Sequence, residues 1–184
     1  MARVAVAMSG GVDSSTAAAM LREDGHEVVG VTLQLWDYTA ENLTSGRGRC
    51  CSPTDIADAR IVSDQLNIPH YVFDHSEAFE DHIVEPFVQE YKNGMTPSPC
   101  INCNRLVKFD ILLKLAQGLG ADFLATGHYA RLEASPSRPQ LHKGLDHSKD
   151  QSYFLFDVPV ERFEKVIFPL GGLAKGEVRA TARR

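Results

Sequence analysis

The chain has 184 residues, of which 43% are hydrophobic, and it carries a formal net charge of −5. This length predicts one domain with a sizeable core, and the acidic balance argues against a general nucleic-acid binder. The sequence contains no apolar run of about 18 residues and no basic stretch followed by an apolar core, so we predict a cytoplasmic protein without a membrane partner.

The chain opens with the apolar run Val4-Ala5-Val6-Ala7-Met8, followed at once by Ser9-Gly10-Gly11-Val12-Asp13-Ser14-Ser15. This order predicts a buried strand near Arg3–Met8 that turns through two glycines into a helix near Asp13–Glu23. We expect both glycines to take positive φ, which aims backbone N–H groups at an anion beside the helix N-terminus.

The side chains of this loop also suit a phosphate. The hydroxyls of Ser9, Ser14 and Ser15 can donate to phosphate oxygens. Asp13 cannot bind a bare phosphate, so we expect it to act through Mg²⁺, to orient the loop amides or to cap the helix.

Two common phosphate loops are excluded by the residues present. A Walker-A loop needs a lysine beside its last Ser or Thr, and no lysine occurs between Met1 and Arg22. A dinucleotide fingerprint needs G-x-G-x-x-G, but Gly10 and Gly11 are adjacent and the next glycine is Gly25.

Further strands are predicted near Val28–Leu35, His70–Phe73 and Phe123–Thr126, and helices near Thr54–Leu66, Ser76–Tyr91 and Leu106–Leu119. The strands do not alternate cleanly between apolar and polar residues, which is typical of strands covered on both faces. The element order predicts an α/β fold, a doubly wound parallel sheet with helices on both faces. Ligands of such sheets bind at the carboxyl ends of the strands. Residues 134–139 are expected to form an exposed hairpin tip.

Four cysteines lie in two long loops, Cys50 and Cys51 in residues 36–53 and Cys100 and Cys103 in residues 93–104. In a cytoplasmic protein we expect them to be reduced, reactive or metal-binding. All four could form a metal site, and the C-x-x-C pair could be a redox pair. Alternatively, Cys103 could be a nucleophile, because a helix predicted to begin at Arg105 would stabilise its thiolate. The residues alone leave metal binding and nucleophilic chemistry open.

Six motifs in chain order resemble the tRNA-specific 2-thiouridylase family, which replaces oxygen by sulfur at C2 of the wobble uridine of tRNA. They are S-G-G-V-D-S at residues 9–14, C-C-S at 50–52, T-P-S-P-C-I-N-C-N at 96–104, V-K-F at 107–109, A-T-G-H-Y at 125–129, and G-L-D…K-D-Q-S-Y-F-L at 144–155. The resemblance covers essentially the whole chain. It implies an N-terminal ATP-pyrophosphatase (PP-loop) domain of the adenine nucleotide alpha-hydrolase-like type over residues 1–184. We expect this domain to be truncated at its C-terminal end and the family's central and β-barrel tRNA-binding domains to be absent.

The resemblance also implies roles for individual residues. ATP would be bound by a set comprising Ala7, Met8, Ser9, Gly10, Gly11, Val12, Asp13, Ser14, Leu33 and Gly127. The target base would face Ser98, Pro99 and Cys100, and tRNA would contact Lys149, Asp150 and Gln151. Cys103 would be the catalytic nucleophile. His128 would either contact the ATP phosphates or hold its turn.

The implied reaction uses ATP and Mg²⁺ to adenylate the uracil O2. A persulfide on a second catalytic cysteine, loaded by a cysteine desulfurase or a sulfur-relay protein, would then deliver sulfur. Cys103 would attack to release it, or form a disulfide with that cysteine.

The sequence departs from the family pattern in two ways. None of its four cysteines matches the second catalytic one, so we expect the chain alone not to complete turnover. Cys100 stands where many members carry Asp, and Ser98 where Asn is usual, so Cys100 and Cys103 could instead be iron–sulfur ligands. The alternatives to thiolation are another PP-loop adenylating synthetase and a cysteine-rich metal-binding module.

Overall fold

A parallel sheet of five strands forms the centre of the computed structural model, which describes residues 1–38 and 52–184. In chain order the strands are β1 (Arg3–Ala7), β2 (Glu27–Gln34), β3 (His70–Asp74), β4 (Phe123–Ala125), β5 (Ala130–Glu133), β6 (Gln140–Lys143) and β7 (Val166–Ile167). The sheet runs β3-β2-β1-β4-β7, and β5 and β6 form a separate antiparallel hairpin. The strand order reverses direction between β1 and β4, which is where doubly wound sheets bind ligands.

Helices connect the strands. The first helix is Val12–Glu23, the second is Pro53–Gln65, and the terminal helix is Lys175–Thr181. Residues 76–92 form a third helix, α-helical at Ser76–Phe79, π-helical at Glu80–Val84 and α-helical at Glu85–Lys92. Residues 99–118 form what we call the cysteine helix, α-helical at Pro99–Asn102, π-helical at Cys103–Leu112 and α-helical at Leu113–Gly118.

The second helix begins at a capping box. The Asp55 N–H donates to the Ser52 Oγ at 3.2 Å, and the Ser52 N–H donates to the Asp55 carboxylate at 2.8 Å. Pro53 occupies the first helical position, where its fixed φ costs nothing and its missing N–H is not needed. This helix start is therefore well fixed. Residues 9–14, which we call the glycine loop, pack against it through Gly10.

Apolar side chains cover both faces of the sheet. Along β1, Val4 and Val6 pack with the first, second and terminal helices, whereas Ala5 faces the other way and packs with the third helix and the cysteine helix. The alternation follows from the period of two along a strand. The α/β class and the doubly wound parallel sheet predicted from the sequence are thereby confirmed.

The predicted elements and the structure differ at particular places. The strands β5, β6 and β7 were not predicted, although residues 134–139 do connect β5 to β6 as the expected hairpin tip. The cysteine helix begins at Pro99 rather than near Leu106, because Pro99 provides a favourable first helical residue.

No helix within residues 1–38 and 52–184 is both long and apolar enough to span a membrane.

Candidate functional site

A sharp turn at Gly10 joins β1 to the first helix. Gly10 has φ +71°, and a Cβ atom at this position would lie 2.3 Å from the backbone oxygen of Asp55. Gly11 instead has φ −81° and ψ 157°, an extended conformation, because it is the N-cap of the first helix. The prediction of positive φ was therefore right for Gly10 and wrong for Gly11.

Two serines hold the loop in shape. The Ser9 N–H donates to the Ser14 Oγ at 3.1 Å, and the Ser14 hydroxyl donates to the Gly11 carbonyl at 3.1 Å. The hydroxyl oxygens of Ser9 and Ser14 lie 3.3 Å apart. Since the first amides of a helix lack intrahelical partners, these amides and the Ser9 hydroxyl lie close together as possible donors, while the Ser14 proton is used within the loop.

Asp13 does not cap the helix, because Gly11 is the N-cap and has no side chain to cap with. Its Oδ1 atom accepts hydrogen bonds from the Tyr129 hydroxyl at 2.9 Å and from the Lys175 Nζ at 2.5 Å. Burial and the hydrogen bond to Asp13 raise the pKa of Tyr129 far above its ordinary value, so the phenol stays protonated. The helix-capping prediction for Asp13 was wrong.

A cavity of ≈ 250 Å³ opens at the carboxyl edge of the sheet, beside this loop. The ends of β1 and β2, the cysteine helix and the turn after β4 all contribute to it. Its lining residues are Ala7, Met8, Ser9, Asp13, Ser14, Val31, Leu33, Leu35, Val107, Lys108, Leu112, Thr126, Gly127, His128 and Gln151. Both apolar and polar side chains line it, as is common in ligand pockets.

Most of the residues that the sequence associates with ATP line this cavity. Gly10, Gly11 and Val12 are not among the lining residues, but they form the adjoining turn and helix start. Val107 and Lys108, on the cysteine helix, line the same cavity as Ser9 and Ser14. The structure thus places the glycine loop and the cysteine helix around one space.

The turn after β4 lies directly against the first helix. A Cβ atom on Gly127 would lie 3.0 Å from the Ser14 backbone nitrogen, so a side chain would crowd this contact. The His128 Nδ1 lies 2.7 Å from the Thr126 Oγ1. Burial, and to a lesser extent the charge of Lys108, lower the pKa of His128 well below its ordinary value, so its imidazole is neutral.

The three predicted tRNA residues have different surroundings. Lys149 is exposed, whereas the Asp150 carboxylate accepts from the backbone N–H groups of Gly144 at 2.9 Å and Ser152 at 3.2 Å and so holds its loop. Gln151 lines the cavity, and its Oε1 accepts from the Tyr129 N–H at 3.0 Å.

The C-x-x-C pair lies within the cysteine helix. Ser98 precedes the helix in an extended conformation, Pro99 is the first helical residue, and Cys100 is exposed. Cys103 is half-buried against the apolar core and lies one turn inside the helix, not just before it as expected. The effect of the helix dipole fades within the first turn, so it acts at Cys100 more than at Cys103.

Sequence reasoning missed Lys175 and Tyr129 as parts of this site. Lys175 lies 162 positions from Asp13 in the chain, so no local spacing links the two. Tyr129 belongs to the A-T-G-H-Y motif, which could have pointed to it.

The metal hypotheses concern two pairs of cysteines. Cys50 and Cys51 lie outside the described residues, so the four-cysteine site stays a prediction. Among the residues that the structure describes, no group of three or more His, Cys, Asp or Glu side chains could hold a metal ion. Cys100 and Cys103 are three residues apart on one helix and could supply two ligands at most.

Comparison with known proteins identifies relatives over the whole length of the chain. A family model described as the tRNA methyl transferase HUP domain matches residues 2–184. The tRNA-specific 2-thiouridylase MnmA of Geotalea uraniireducens is 54% identical over 183 residues, which is 98% of this chain and 49% of that protein. The MnmA of Rickettsia typhi is 51% identical over 184 residues, 100% of this chain and 51% of that protein. The chain therefore spans about half the length of the curated relatives it matches.

Two solved structures share the fold at low sequence identity. A protein of Methanocaldococcus jannaschii, described as a predicted subunit of a tRNA methyltransferase, has a TM-score of 0.57 at 18% identity. The match covers 100% of this chain and 75% of that protein's chain. The NMN synthetase of Francisella tularensis has a TM-score of 0.54 at 19% identity, and the match covers 99% of this chain and 60% of the synthetase chain. At these identities the likeness supports the fold alone.

Proposed function

Because this chain belongs to the tRNA methyl transferase HUP domain family, we propose that it is the ATP-binding domain of an enzyme that replaces oxygen by sulfur at C2 of the wobble uridine of tRNA. Relatives named tRNA-specific 2-thiouridylase, at 51–54% identity, support this proposal. The observation that carries it is that the glycine loop and the cysteine helix line the same cavity. A tRNA substrate is consistent with a cytoplasmic protein. Residues 1–184 would be the ATP-pyrophosphatase domain of this enzyme, and tRNA-binding domains would belong to the full-length protein.

The apolar and the polar lining residues of the cavity suit the two ends of ATP. Val31, Leu33 and Leu35 offer an apolar surface for the adenine. In the same cavity, the Ser9 hydroxyl and the first amides of the first helix offer donors to the phosphates, while the Ser14 hydroxyl donates to the Gly11 carbonyl and holds the loop in shape. Gly127 lets the turn after β4 lie close to the helix start, which keeps the cavity narrow there.

The proposed first step activates the uracil. Its O2 atom forms a bond to the α-phosphorus of ATP, the bond from that phosphorus to the bridging oxygen breaks, and pyrophosphate leaves with the electron pair. The uracil gives up its N3 proton. Donors already aimed at the phosphates stabilise the negative charge that develops on the leaving pyrophosphate.

The Mg²⁺ that accompanies ATP would be held by Asp13, whose carboxylate lines the cavity, together with phosphate oxygens and water. Bound there, Mg²⁺ would offset part of the phosphate charge. Cys100 and Cys103 are fewer than the four thiolates that an iron–sulfur cluster usually takes, so we derive no step through a cluster.

The proposed second step is sulfur transfer. The terminal sulfur of a persulfide on a second cysteine, loaded by a cysteine desulfurase or a sulfur-relay protein, bonds to C2, and AMP leaves with the electron pair. The Cys103 thiolate then attacks the second cysteine's own sulfur, which forms a disulfide and releases 2-thiouridine. An external thiol reduces the disulfide. Cys103 is suited to this role because Val107, one turn later on the same helix face, lines the cavity.

The target base must leave its stack to reach this site. We assign its contacts to Ser98, Pro99 and Cys100, at the start of the cysteine helix, where Ser98 and Cys100 are exposed. We assign tRNA contact to the exposed Lys149 as well, with Asp150 and Gln151 holding the segment that presents it.

The test is thiolation of unmodified tRNA by the full-length protein with ATP and a persulfide donor. Cys103→Ser should bind ATP and tRNA but form no 2-thiouridine. Cys100→Ser, three residues away on the same helix, keeps a small polar side chain at its assigned base contact and should retain at least part of the product formation. Thiolation by Cys103→Ser would remove the nucleophile assignment. Loss of thiolation in both variants would favour cluster or redox chemistry instead.

A further inference from the structure

A lysine of the terminal helix lies beside the glycine loop. The Lys175 Nζ is 2.5 Å from the Asp13 Oδ1, and the two side chains are only 18% and 33% exposed. Asp13 lines the cavity. A positive charge is therefore held next to the wall where the proposed function requires phosphates.

Two contacts of Lys175 and one of its partner Asp13 fix this arrangement. Its backbone N–H donates to the Asp146 carboxylate at 3.0 Å, which fixes the start of the terminal helix. Its ammonium lies 5.6 Å from the centre of the Tyr129 ring, within the range of a cation–π contact. The Tyr129 hydroxyl donates to the same Asp13 oxygen at 2.9 Å. The lysine is thus preorganised before any ligand binds.

Mg²⁺ would offset part of the charge of ATP, and a second cation at this position would offset more of it. The phosphate loop has no lysine of its own between Met1 and Arg22, and its carboxylate at Asp13 would repel the phosphates of ATP. An ammonium has three N–H donors, so Lys175 can neutralise Asp13 with one of them and direct another at a phosphate oxygen.

We propose that Lys175 is a phosphate-binding residue of this site, a lysine that folding brings from the terminal helix to a loop that lacks one. The inference rests on the proposed function in that ATP is taken as the ligand. It adds a residue that neither the sequence motifs nor the family resemblance assigned.

A purely structural ion pair between the terminal helix and the first helix would have different consequences. Loss of such a pair would loosen the site as a whole and weaken the binding of adenosine along with that of the phosphate ligands. A phosphate-binding lysine, in contrast, matters only to ligands that carry phosphates. The discriminating measurement is therefore the affinity for inorganic pyrophosphate and ATP against that for adenosine.

The experiment titrates these three ligands into the full-length protein by calorimetry. Lys175→Met should weaken pyrophosphate and ATP about 10- to 100-fold, as expected for a charge-assisted hydrogen bond, and leave adenosine within about threefold. Lys175→Arg keeps the charge and should restore part of the affinity. Lys114→Met, which removes a 72% exposed lysine on the cysteine helix, is the control and should change nothing.

Unchanged pyrophosphate affinity in Lys175→Met, or an equal loss for adenosine, would overturn the inference. If Lys175→Met does not fold, acylation of lysines in the unmodified protein provides the test. Pyrophosphate should protect Lys175 but not Lys114, and equal labelling of Lys175 with and without pyrophosphate would overturn the inference as well. The proposed function fails separately, if the protein binds pyrophosphate through Lys175 yet forms no 2-thiouridine.

Discussion

Gly10→Ala should destabilise the protein strongly, whereas Gly11→Ala, at the next position, should not. Gly10 has φ +71°, a conformation that costs an L-residue about 1–2 kcal/mol. The added methyl would also lie 2.3 Å from the backbone oxygen of Asp55. The capping box with Ser52 holds that backbone, so the contact cannot be relieved by a side-chain rotation.

The expected magnitude follows from these two contributions. Overpacking typically costs about 1–3 kcal/mol, so the free energy of unfolding should fall by about 2–5 kcal/mol in Gly10→Ala. For a protein of this length, each kcal/mol lowers the Tm by roughly 2–4 °C, which predicts a decrease of about 4–20 °C. Gly11 has φ −81°, and its added methyl would meet only the Ser9 Oγ at 3.6 Å, so its change should stay within about 1 kcal/mol.

Calorimetric melting of the two variants and the unaltered protein measures this difference. Titration with ATP, at a temperature where all three proteins are folded, should show weaker binding by Gly10→Ala because its loop is displaced from the second helix. Equal Tm values for Gly10→Ala and Gly11→Ala would refute the reasoning, since the close packing of Gly10 against Asp55 would then have no energetic consequence.

Three further predictions concern the turn after β4, the ion pairs of the cysteine helix and the buried His128. Gly127→Ala would place a methyl 3.0 Å from the Ser14 nitrogen and should weaken ATP binding about tenfold or more; an unchanged calorimetric Kd would contradict this. Arg162→Ala removes a half-buried side chain that donates to the Arg105 carbonyl and pairs with Asp110 of the cysteine helix, and it should lower the free energy of unfolding in urea by about 1–3 kcal/mol. Arg105→Ala removes an ion pair with Asp157 that is more exposed, at 43% and 39%, and should cost less than about 1 kcal/mol, so equal costs for the two variants would refute this prediction. Because burial lowers the pKa of His128 below 6.5, the unfolded chain takes up a proton that the folded one does not as the pH falls below 6.5, and stability decreases by at most about 1.4 kcal/mol per pH unit from this group. His128→Asn should flatten that decrease in unfolding measured between about pH 7.5 and 5.5, and identical profiles would contradict the prediction.

The amino-acid pattern was sufficient for the fold class and for the turn between the first strand and the first helix. An apolar strand, a glycine pair and a helix follow one another within residues 3–23, so neighbouring residues alone specify the turn. The common edge of the parallel strands follows from their connectivity, which is why most of the expected ATP residues do line one cavity.

Predictions from neighbouring residues were wrong where the same residues permit two favourable conformations. Two adjacent glycines both permit positive φ, but the start of the first helix requires an extended residue at Gly11. Similarly, Pro99 permits the cysteine helix to begin before Cys100, which moves Cys103 one turn into the helix and against the core. The short strand β7 has two residues, too few for any periodic signal.

By itself, the sequence determined that a glycine loop lies at the edge of a parallel sheet, because that loop is built from consecutive residues. Only the tertiary structure determined which charges surround it. Asp13, Tyr129 and Lys175 meet because the first and terminal helices pack on the same face of the sheet beside the turn after β4. Contacts of this kind depend on the packing of whole elements, and no spacing along the chain encodes them.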